Sequence, residues 1–339
     1  MKNIFVYCEI TEEHRVADVS LELLSKGRKL ASELGVALEA VVIGSQLKEA
    51  FEQLCYFGVS VIHYAENDNL FPYRTMLHAK LVQTLFEKEQ PEIALFGATS
   101  VGRDLAPRIA SALRCGLTAD CTSLQIGDHT DERKKITYKK LLYQIRPAFG
   151  GNIIATIINP ETRPQMATVR EGVMKLEPQQ VKNNPEFKKM DAGVITSVEE
   201  AVAIIHRHIE PPKINLKAAQ ILIAGGYGMG SKENFNILYE LADLLGGEVG
   251  GTRAAVDAGF CDHERQIGQT GVTVRPKLYI ACGISGAVQH RAGMDQSAKI
   301  ISINTSPQAP INAIADYVVV GDVMKVIPKM IQSYKKQIK

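Results

Sequence analysis

Short apolar runs alternate with longer amphipathic stretches along residues 1–126. Ile4–Cys8 is an apolar run of strand length. From Val16 to Leu34 the side chains Leu21, Leu23, Leu24, Leu30 and Leu34 recur near helical spacing, and Gly35 ends the run. Val36–Ile43 is again strand-like and closes at Gly44, and Leu47–Tyr56 reads as a helix that stops at Gly58. Val59–Tyr64 and Ile93–Phe96 predict two more strands, Tyr73–Glu87 and Val101–Leu113 two more helices. Strands separated by such helices make βαβ units and a parallel sheet. Right-handed crossovers then put helices on both faces, giving a three-layer α/β domain.

The pattern changes after residue 121. Lys135–Arg146 and Asn152–Ile158 predict two strands joined through Pro147 and the Gly150–Gly151 pair, and Met166–Val169 predicts a third. Together they read as an antiparallel extension. Residues 178–197 are polar and rich in Asn, Lys and Pro, the composition of a surface loop, and Val198–Arg207 predicts a short helix. Glu210-Pro211-Pro212-Lys213 then breaks the chain, so the expected domains are 1–212 and 213–339.

In the second part each strand runs into a loop with its own chemistry. Gln220–Ala224 leads to Gly225-Gly226-Tyr227-Gly228-Met229-Gly230-Ser231, with a helix from Glu233. Lys277–Ala281 leads to Cys282-Gly283-Ile284-Ser285-Gly286-Ala287-Val288-Gln289-His290. There Ser285 is placed to cap a helix and Gly286 to let a phosphate approach. Ile300–Ile303 leads to Asn304-Thr305-Ser306-Pro307, and Tyr317–Val320 to Gly321-Asp322-Val323 and a final helix. Loops at the carboxyl ends of parallel strands converge on one crevice, the ligand site of a doubly wound parallel sheet. The first loop is not a G-x-G-x-x-G, and no P-loop lysine, H-E-x-x-H or Ser-His-Asp order is present. His290 taken alone reads equally well as an ordinary helix histidine.

Composition sharpens the contrast between the halves. Of 27 glycines, 15 lie in residues 217–339 and 12 in 1–216. Glycine lets backbone N–H groups come close to a ligand; the bland alternative is a fold with many tight turns. The net charge of +2, from 39 Lys+Arg against 37 Asp+Glu, argues against a nucleic-acid partner. No apolar stretch reaches the ~18 residues of a membrane span, and the start MKNIFVYCEI lacks a secretory cleavage pattern, so the expected location is cytoplasmic. The six cysteines form no C-x-x-C and read as buried free thiols, with no metal site expected.

Two further segments set donors among small residues. Gly250-Gly251-Thr252-Arg253-Ala254-Ala255-Val256-Asp257-Ala258-Gly259 places a guanidinium and a hydroxyl where small neighbours leave room for a flat ring. Gln266-Ile267-Gly268-Gln269-Thr270-Gly271 adds a hydroxyl and carboxamides. Such donors suit a redox-active heteroaromatic ring: the arginine stabilises an anionic form and the threonine hydrogen-bonds a ring nitrogen. In the first half, Arg103, Asp104 and Arg108 beside Gly102 can be drawn as an anion site, but a helix N-terminus with Asp104 on its dipole is the simpler reading.

The strings GGTRAAVDAGF (250–260), IGQTG (267–271), LYIACGISGAVQH (278–290), AGM (292–294), IN-SP-API (303–311) and ADY with GD (315–322) resemble, in order and spacing, the α subunit of electron transfer flavoprotein. GATSVGRDLAPRIASALRCGLTADCTSL (97–124) resembles the first-domain block of that family more loosely, so the resemblance covers nearly the whole chain. It implies a heterodimer with a β subunit and an N-terminal domain that contacts that subunit. It also implies a C-terminal FAD that carries electrons between an acyl-CoA or other dehydrogenase and a redox acceptor. Carried over residue by residue, the resemblance puts Tyr227 beside the diphosphate and Thr252 and Arg253 at the isoalloxazine. Ile267, Gly268, Gln269 and Thr270 would line the flavin, with Thr270 near N5. Ser285, Gly286, Ala287, Val288 and Gln289 would follow the ribityl and diphosphate, and His290 would reach the pyrimidine end of the ring. Asn304, Asp322 and Val323 would hold the adenosine side. Arg253, Thr270 and His290 would tune the flavin, and no residue would transform a substrate.

Two positions depart from the family pattern. Arginine commonly stands where this chain has Tyr227, and Asn-Lys-Asp-Pro where it has Asn304-Thr305-Ser306-Pro307. The cation beside the diphosphate is thereby missing, and the loss of positive charge should weaken phosphate attraction, with Ser231 and Lys232 as candidates to offset it. Some family members take electrons from NADH and bifurcate them through a second flavin on the β subunit, and the α chain alone does not decide this. The rival reading is a self-contained FAD- or NAD-dependent oxidoreductase acting on a small substrate, with His290 and Asp257 its only acid–base candidates.

Overall fold

A computed structural model describes residues 2–148, 153–191, 193, 204, 207–208 and 214–337. They fall into two compact units, one up to residue 204 and one from residue 207. The expected 212/213 boundary, the Pro211–Pro212 break and the Gly150–Gly151 connection lie outside the described residues, as does nearly all of the helix expected at 198–207.

The first unit opens with β1 (Ile4–Cys8), α1 (Asp18–Leu34), β2 (Leu38–Gly44), α2 (Lys48–Leu54) and β3 (Val61–Glu66). It continues with α3 (Thr75–Glu89), β4 (Ile93–Gly97) and α4 (Ser100–Leu113). Then come β5 (Leu117–Cys121), β6 (Ser123–Asp131), β7 (Ile136–Ala148), β8 (Ile153–Ile157), β9 (Gln165–Val169) and β10 (Glu186–Lys189). Seven strands form an all-parallel sheet in the order β10-β3-β2-β1-β4-β9-β5, and β6-β7-β8 form a separate antiparallel sheet. The pleat of β1 explains the layers. Ile4, Val6 and Cys8 share a core with the leucines of α1 and with α2, while Phe5 and Tyr7 face the opposite core with α3 and α4.

Two expectations need correction. Met166–Val169 is not a third antiparallel strand: β9 is buried along all five residues and inserts parallel between β4 and β5. The stretch 178–197 is not all loop either. It contains β10, whose four exposed residues pair with β3 at the sheet edge, with the Phe187 ring set edge-on against Tyr64 of β3 and Phe51 of α2.

The second unit runs β11 (Ile221–Gly225), α5 (Asn236–Leu245), β12 (Glu248–Gly251), α6 (Arg253–Asp257) and β13 (Leu278–Cys282). It ends with α7 (Val288–Arg291), β14 (Ile300–Asn304), β15 (Tyr317–Val320) and α8 (Val323–Gln337). Its five strands are parallel in the order β12-β11-β13-β14-β15. Winding reverses between β11 and β13, the switch point where open parallel sheets take ligands. On one face, α5 and α8 pack over Ile223, Ile280, Cys282 and Ile303. On the other, Leu222, Tyr279 and Ala281 lie under loops bearing Ile267, Val274, Ile284 and Ile311. Among the described residues no helix is long and apolar enough to cross a membrane, and no cluster of three metal-ligating side chains occurs.

Candidate functional site

Two glycine loops cross at the carboxyl ends of β11 and β13. Gly226 N–H donates to Cys282 O at 2.8 Å and Gly228 N–H to Gly283 O at 3.1 Å. A Cβ on Gly226 would stand 2.2 Å from Gly283 O, so only glycine permits the crossing. Beyond it opens a crevice of about 810 Å³, walled by parts of segments 226–228, 252–257, 267–270, 283–290 and 304–310. That volume is in the range of small-molecule and cofactor sites.

One wall is built for an anion. Gly286, at φ 89°, turns the chain before α7 begins at Val288. Among the described residues, the N–H groups of Ser285, Gly286 and Ala287 donate to no internal acceptor. A concave run of unpaired N–H groups in a glycine cradle fits a diphosphate without a cationic side chain. Ser285 does not cap the helix as expected. The cap position falls to Ala287, which offers no side-chain acceptor, and the Ser285 hydroxyl is left exposed on the crevice. Asn304 Nδ2 donates to Ile284 O at 2.8 Å, and its Oδ1 accepts from Ser306 N at 3.0 Å. Its carboxamide therefore pins two loops of the wall together.

The opposite wall carries the ring donors. Thr252 caps α6, its hydroxyl accepting from Ala255 N at 3.3 Å, and so presents Arg253 as the first helical residue. Arg253 is two-thirds exposed and pairs with Asp257 at 3.4 Å. Thr270 Oγ1 accepts from Gln266 Nε2 at 3.0 Å, which leaves its own hydroxyl proton for the crevice. Tyr227 is exposed at the mouth and stacks on Phe260 with ring centroids 5.8 Å apart. His290 is buried, and both its nitrogens have partners: Ile267 O at 3.1 Å from Nδ1 and the Tyr279 hydroxyl at 2.9 Å from Nε2. Burial pushes its pKa down to about 4, so the ring is neutral at pH 7.

Ile267, Gly268, Gln269 and Gln289 also line the crevice, whereas Val288, Asp322 and Val323 are not among its lining residues. Val323 is buried in the core under the sheet, and Asp322 accepts from Met324 N at 2.9 Å at the start of α8. Ser231 turns inward on its own loop, accepting from Asn234 N at 3.4 Å. In the sequence, Ser306–Pro310 figured only within longer strings, and no role was given to this segment, whose Ser306, Gln308, Ala309 and Pro310 line the crevice, nor to the supporting residues Gln266 and Tyr279. A run of Ser, Pro and Gln carries no signal of its own, and Tyr279 is an ordinary strand residue until the fold brings His290 to it.

The sequence pattern of the Electron transfer flavoprotein domain matches residues 4–203, and that of the Electron transfer flavoprotein FAD-binding domain matches residues 215–295. The chain is 46% identical over 336 residues to the electron transfer flavoprotein subunit alpha of Thermoanaerobacterium thermosaccharolyticum, covering 99% of this chain and 98% of that one. It is 43% identical to Protein FixB of Clostridium saccharobutylicum, with 99% and 97% covered. It is 37% identical to the acryloyl-CoA reductase electron transfer subunit beta of Anaerotignum propionicum, with 99% and 96% covered. With both domain patterns matched and near-complete overlap at this identity, the chain belongs to the electron transfer flavoprotein α-subunit family, and its second unit is that family's FAD-binding domain.

Proposed function

We propose that the crevice at the β11–β13 switch point holds the FAD and that the chain works as an electron carrier bound to a β subunit in the cytoplasm. The observation that carries the seating is the facing of two unlike walls across one crevice: unpaired N–H groups of Ser285, Gly286 and Ala287 on one side, and Arg253 with Thr270 on the other. The first receives the diphosphate without needing the cation that Tyr227 replaces. The second meets the isoalloxazine, with Thr270 offering a hydroxyl proton and Arg253 a positive charge. Bound FAD supplies one- and two-electron redox chemistry. The protein's part is to orient the ring, keep its buried edge dry and leave the mouth beside Tyr227 and Arg253 open to partners.

The acyl-CoA chemistry in the name of the Anaerotignum relative supports an acyl-CoA dehydrogenase as one redox partner. The self-contained oxidoreductase is disfavoured by its own candidates. His290 is neutral with both nitrogens engaged, and Asp257 is exposed and paired to Arg253. The isolated chain should therefore not oxidise NADH. The test of the main reading is co-purification with the β subunit followed by flavin counting. One FAD with AMP marks a simple carrier, and two FAD mark the NADH-linked, bifurcating type. A complex with no flavin absorbance after FAD reconstitution overturns the site.

A further inference from the structure

The two partners of His290 fix where its proton sits. A carbonyl oxygen only accepts, so the 3.1 Å contact with Ile267 O requires a hydrogen on Nδ1. A neutral imidazole carries one such hydrogen, so Nε2 is the lone-pair nitrogen and the Tyr279 hydroxyl, 2.9 Å away, donates to it. Tyr279 is fully buried in β13, with no access for water to replace that bond. The tautomer matters because of what Ile267 begins. Gln269 N–H donates to Gln289 O at 2.7 Å, and Gly268 lies so close that a Cβ there would stand 3.0 Å from the same oxygen. The segment carrying Ile267, Gln269 and Thr270 is thus laid along α7, with His290 Nδ1–H as its side-chain tie.

We propose that Tyr279 is a positioning residue of the flavin site: by donating to Nε2 it holds the His290 proton on Nδ1, and that proton anchors the Ile267 carbonyl and so sets the wall that Ile267–Thr270 turn to the ring. Without the hydroxyl, Nε2 has no donor, the proton can move to it, and Nδ1 then turns a lone pair on the Ile267 oxygen. The first unit supplies an internal control. There the Tyr7 hydroxyl lies 2.8 Å from His78 Nδ1 and His78 Nε2 lies 2.9 Å from Leu70 O, which by the same logic puts the proton on Nε2. His78 and His290 therefore hold opposite tautomers.

The test uses the full-length chain labelled with ¹⁵N-histidine and rests on the FAD seating proposed above. Ring nitrogen shifts should show Nδ1–H for His290 and Nε2–H for His78, with His290→Asn and His78→Asn assigning the peaks. Tyr279→Phe should mix or invert the His290 tautomer, weaken FAD binding about tenfold, the size of one buried hydrogen bond, and shift the flavin visible band. Tyr7→Phe should leave FAD affinity and spectrum unchanged. A wild-type His290 with its proton on Nε2 overturns the proposal. So does a folded Tyr279→Phe whose flavin spectrum and affinity stay within twofold of wild type. If Tyr279→Phe does not fold, the wild-type ring pattern decides alone. Wild-type chain that takes up no FAD would instead overturn the seating, while the ring shifts still report the tautomer.

Discussion

Both units bury a tyrosine–histidine–carbonyl chain against a parallel sheet, yet only the second sits beside a ligand crevice. Tyr7, His78 and Leu70 O form it in the first unit, and Tyr279, His290 and Ile267 O in the second. The surroundings make the difference. At the switch point of the first unit, between β1 and β4, Thr99 Oγ1 donates to Glu9 Oε2 at 2.5 Å. Thr99 also caps α4, and Gly102 packs so tightly that a Cβ would stand 1.8 Å from Gly97 O. Glycine there draws a helix onto a strand, and the Glu9 carboxyl group is tied to the residue that caps that helix. In the second unit, glycines cross two loops and leave N–H groups facing open space. A parallel sheet with a buried relay is therefore a scaffold. Glycine placement and unpaired backbone donors turn one copy of it into a site.

The sharpest way to break this account is to substitute one glycine from each unit. Gly286→Ala puts a Cβ at a backbone φ of 89° and 2.3 Å from Ile311 N. The strain falls on the N–H cradle, so FAD affinity should drop about 100-fold or more while the second unit stays folded. Gly102→Ala should do the reverse, destabilising the first unit by several kcal/mol with the flavin retained. Flavin titration beside a urea melt of each variant separates the outcomes. Wild-type FAD affinity in Gly286→Ala would remove glycine from the explanation.

Both relays should also respond to acid, and to similar extents, because they share a cause. Burial pushes His78 and His290 down to about 4, below the ordinary histidine value. Between those values the unfolded chain binds a proton that the folded chain does not, so stability present above pH ~6.5 is lost progressively toward pH 4. The loss should be on the order of 3 kcal/mol for each unit. His78→Gln and His290→Gln, followed by urea melts at pH 7 and pH 4.5, should each flatten the pH dependence of one unit only. A slope that persists in both variants would assign it to carboxylates instead.

Much of this was legible before the fold was known, and the exceptions have physical reasons. Helix α1 was readable because its leucines repeat and Gly35 caps it at φ 72°. The strand β9 was misassigned because five buried residues carry no direction, and its partners β4 and β5 are separated from it in sequence by the antiparallel insertion. β10 was missed because Glu186–Lys189 is exposed throughout and holds a single apolar residue, Phe187, among charged ones, too little for an alternating pattern. In the site, the glycine loops announced themselves by composition. Val323 was assigned on resemblance alone, and the fold shows its side chain turned into the core as the first residue of an amphipathic helix; the Tyr279–His290 contact is a product of β13 and α7 packing that no local pattern encodes.

Arg253 tests whether the second unit's charge belongs to the ligand or to the fold. Its ion pair with Asp257 is exposed on both sides, so Arg253→Ala should change stability by less than ~0.5 kcal/mol. The first reduction potential of the bound flavin should nevertheless fall by about 60 mV, a tenfold change in a one-electron equilibrium. Spectroelectrochemical titration reads this directly, and an unchanged potential would sink the arginine's role at the ring.

The smallest effect is expected at Glu9, and it tests the first unit from the other side. Burial raises the Glu9 pKa above the usual carboxylate value, the Thr99 hydroxyl opposes that shift, and the charge of Glu171 adds to it. A carboxyl group held above its unfolded value costs stability once pH rises past it, because folding then has to keep a charge that burial disfavours. Glu9→Gln retains an acceptor for Thr99 and removes the charge. The variant should melt about 1–3 °C higher at pH 7.5, the scale of a sub-kcal to 1 kcal/mol gain in a unit of this size, and the advantage should vanish near pH 4. FAD binding in the second unit should not move. If Glu9→Gln instead lowers the melting temperature at neutral pH, the carboxylate is a structural partner of Thr99 first, and the closed switch point of the first unit is held by that hydrogen bond more than it is burdened by the charge.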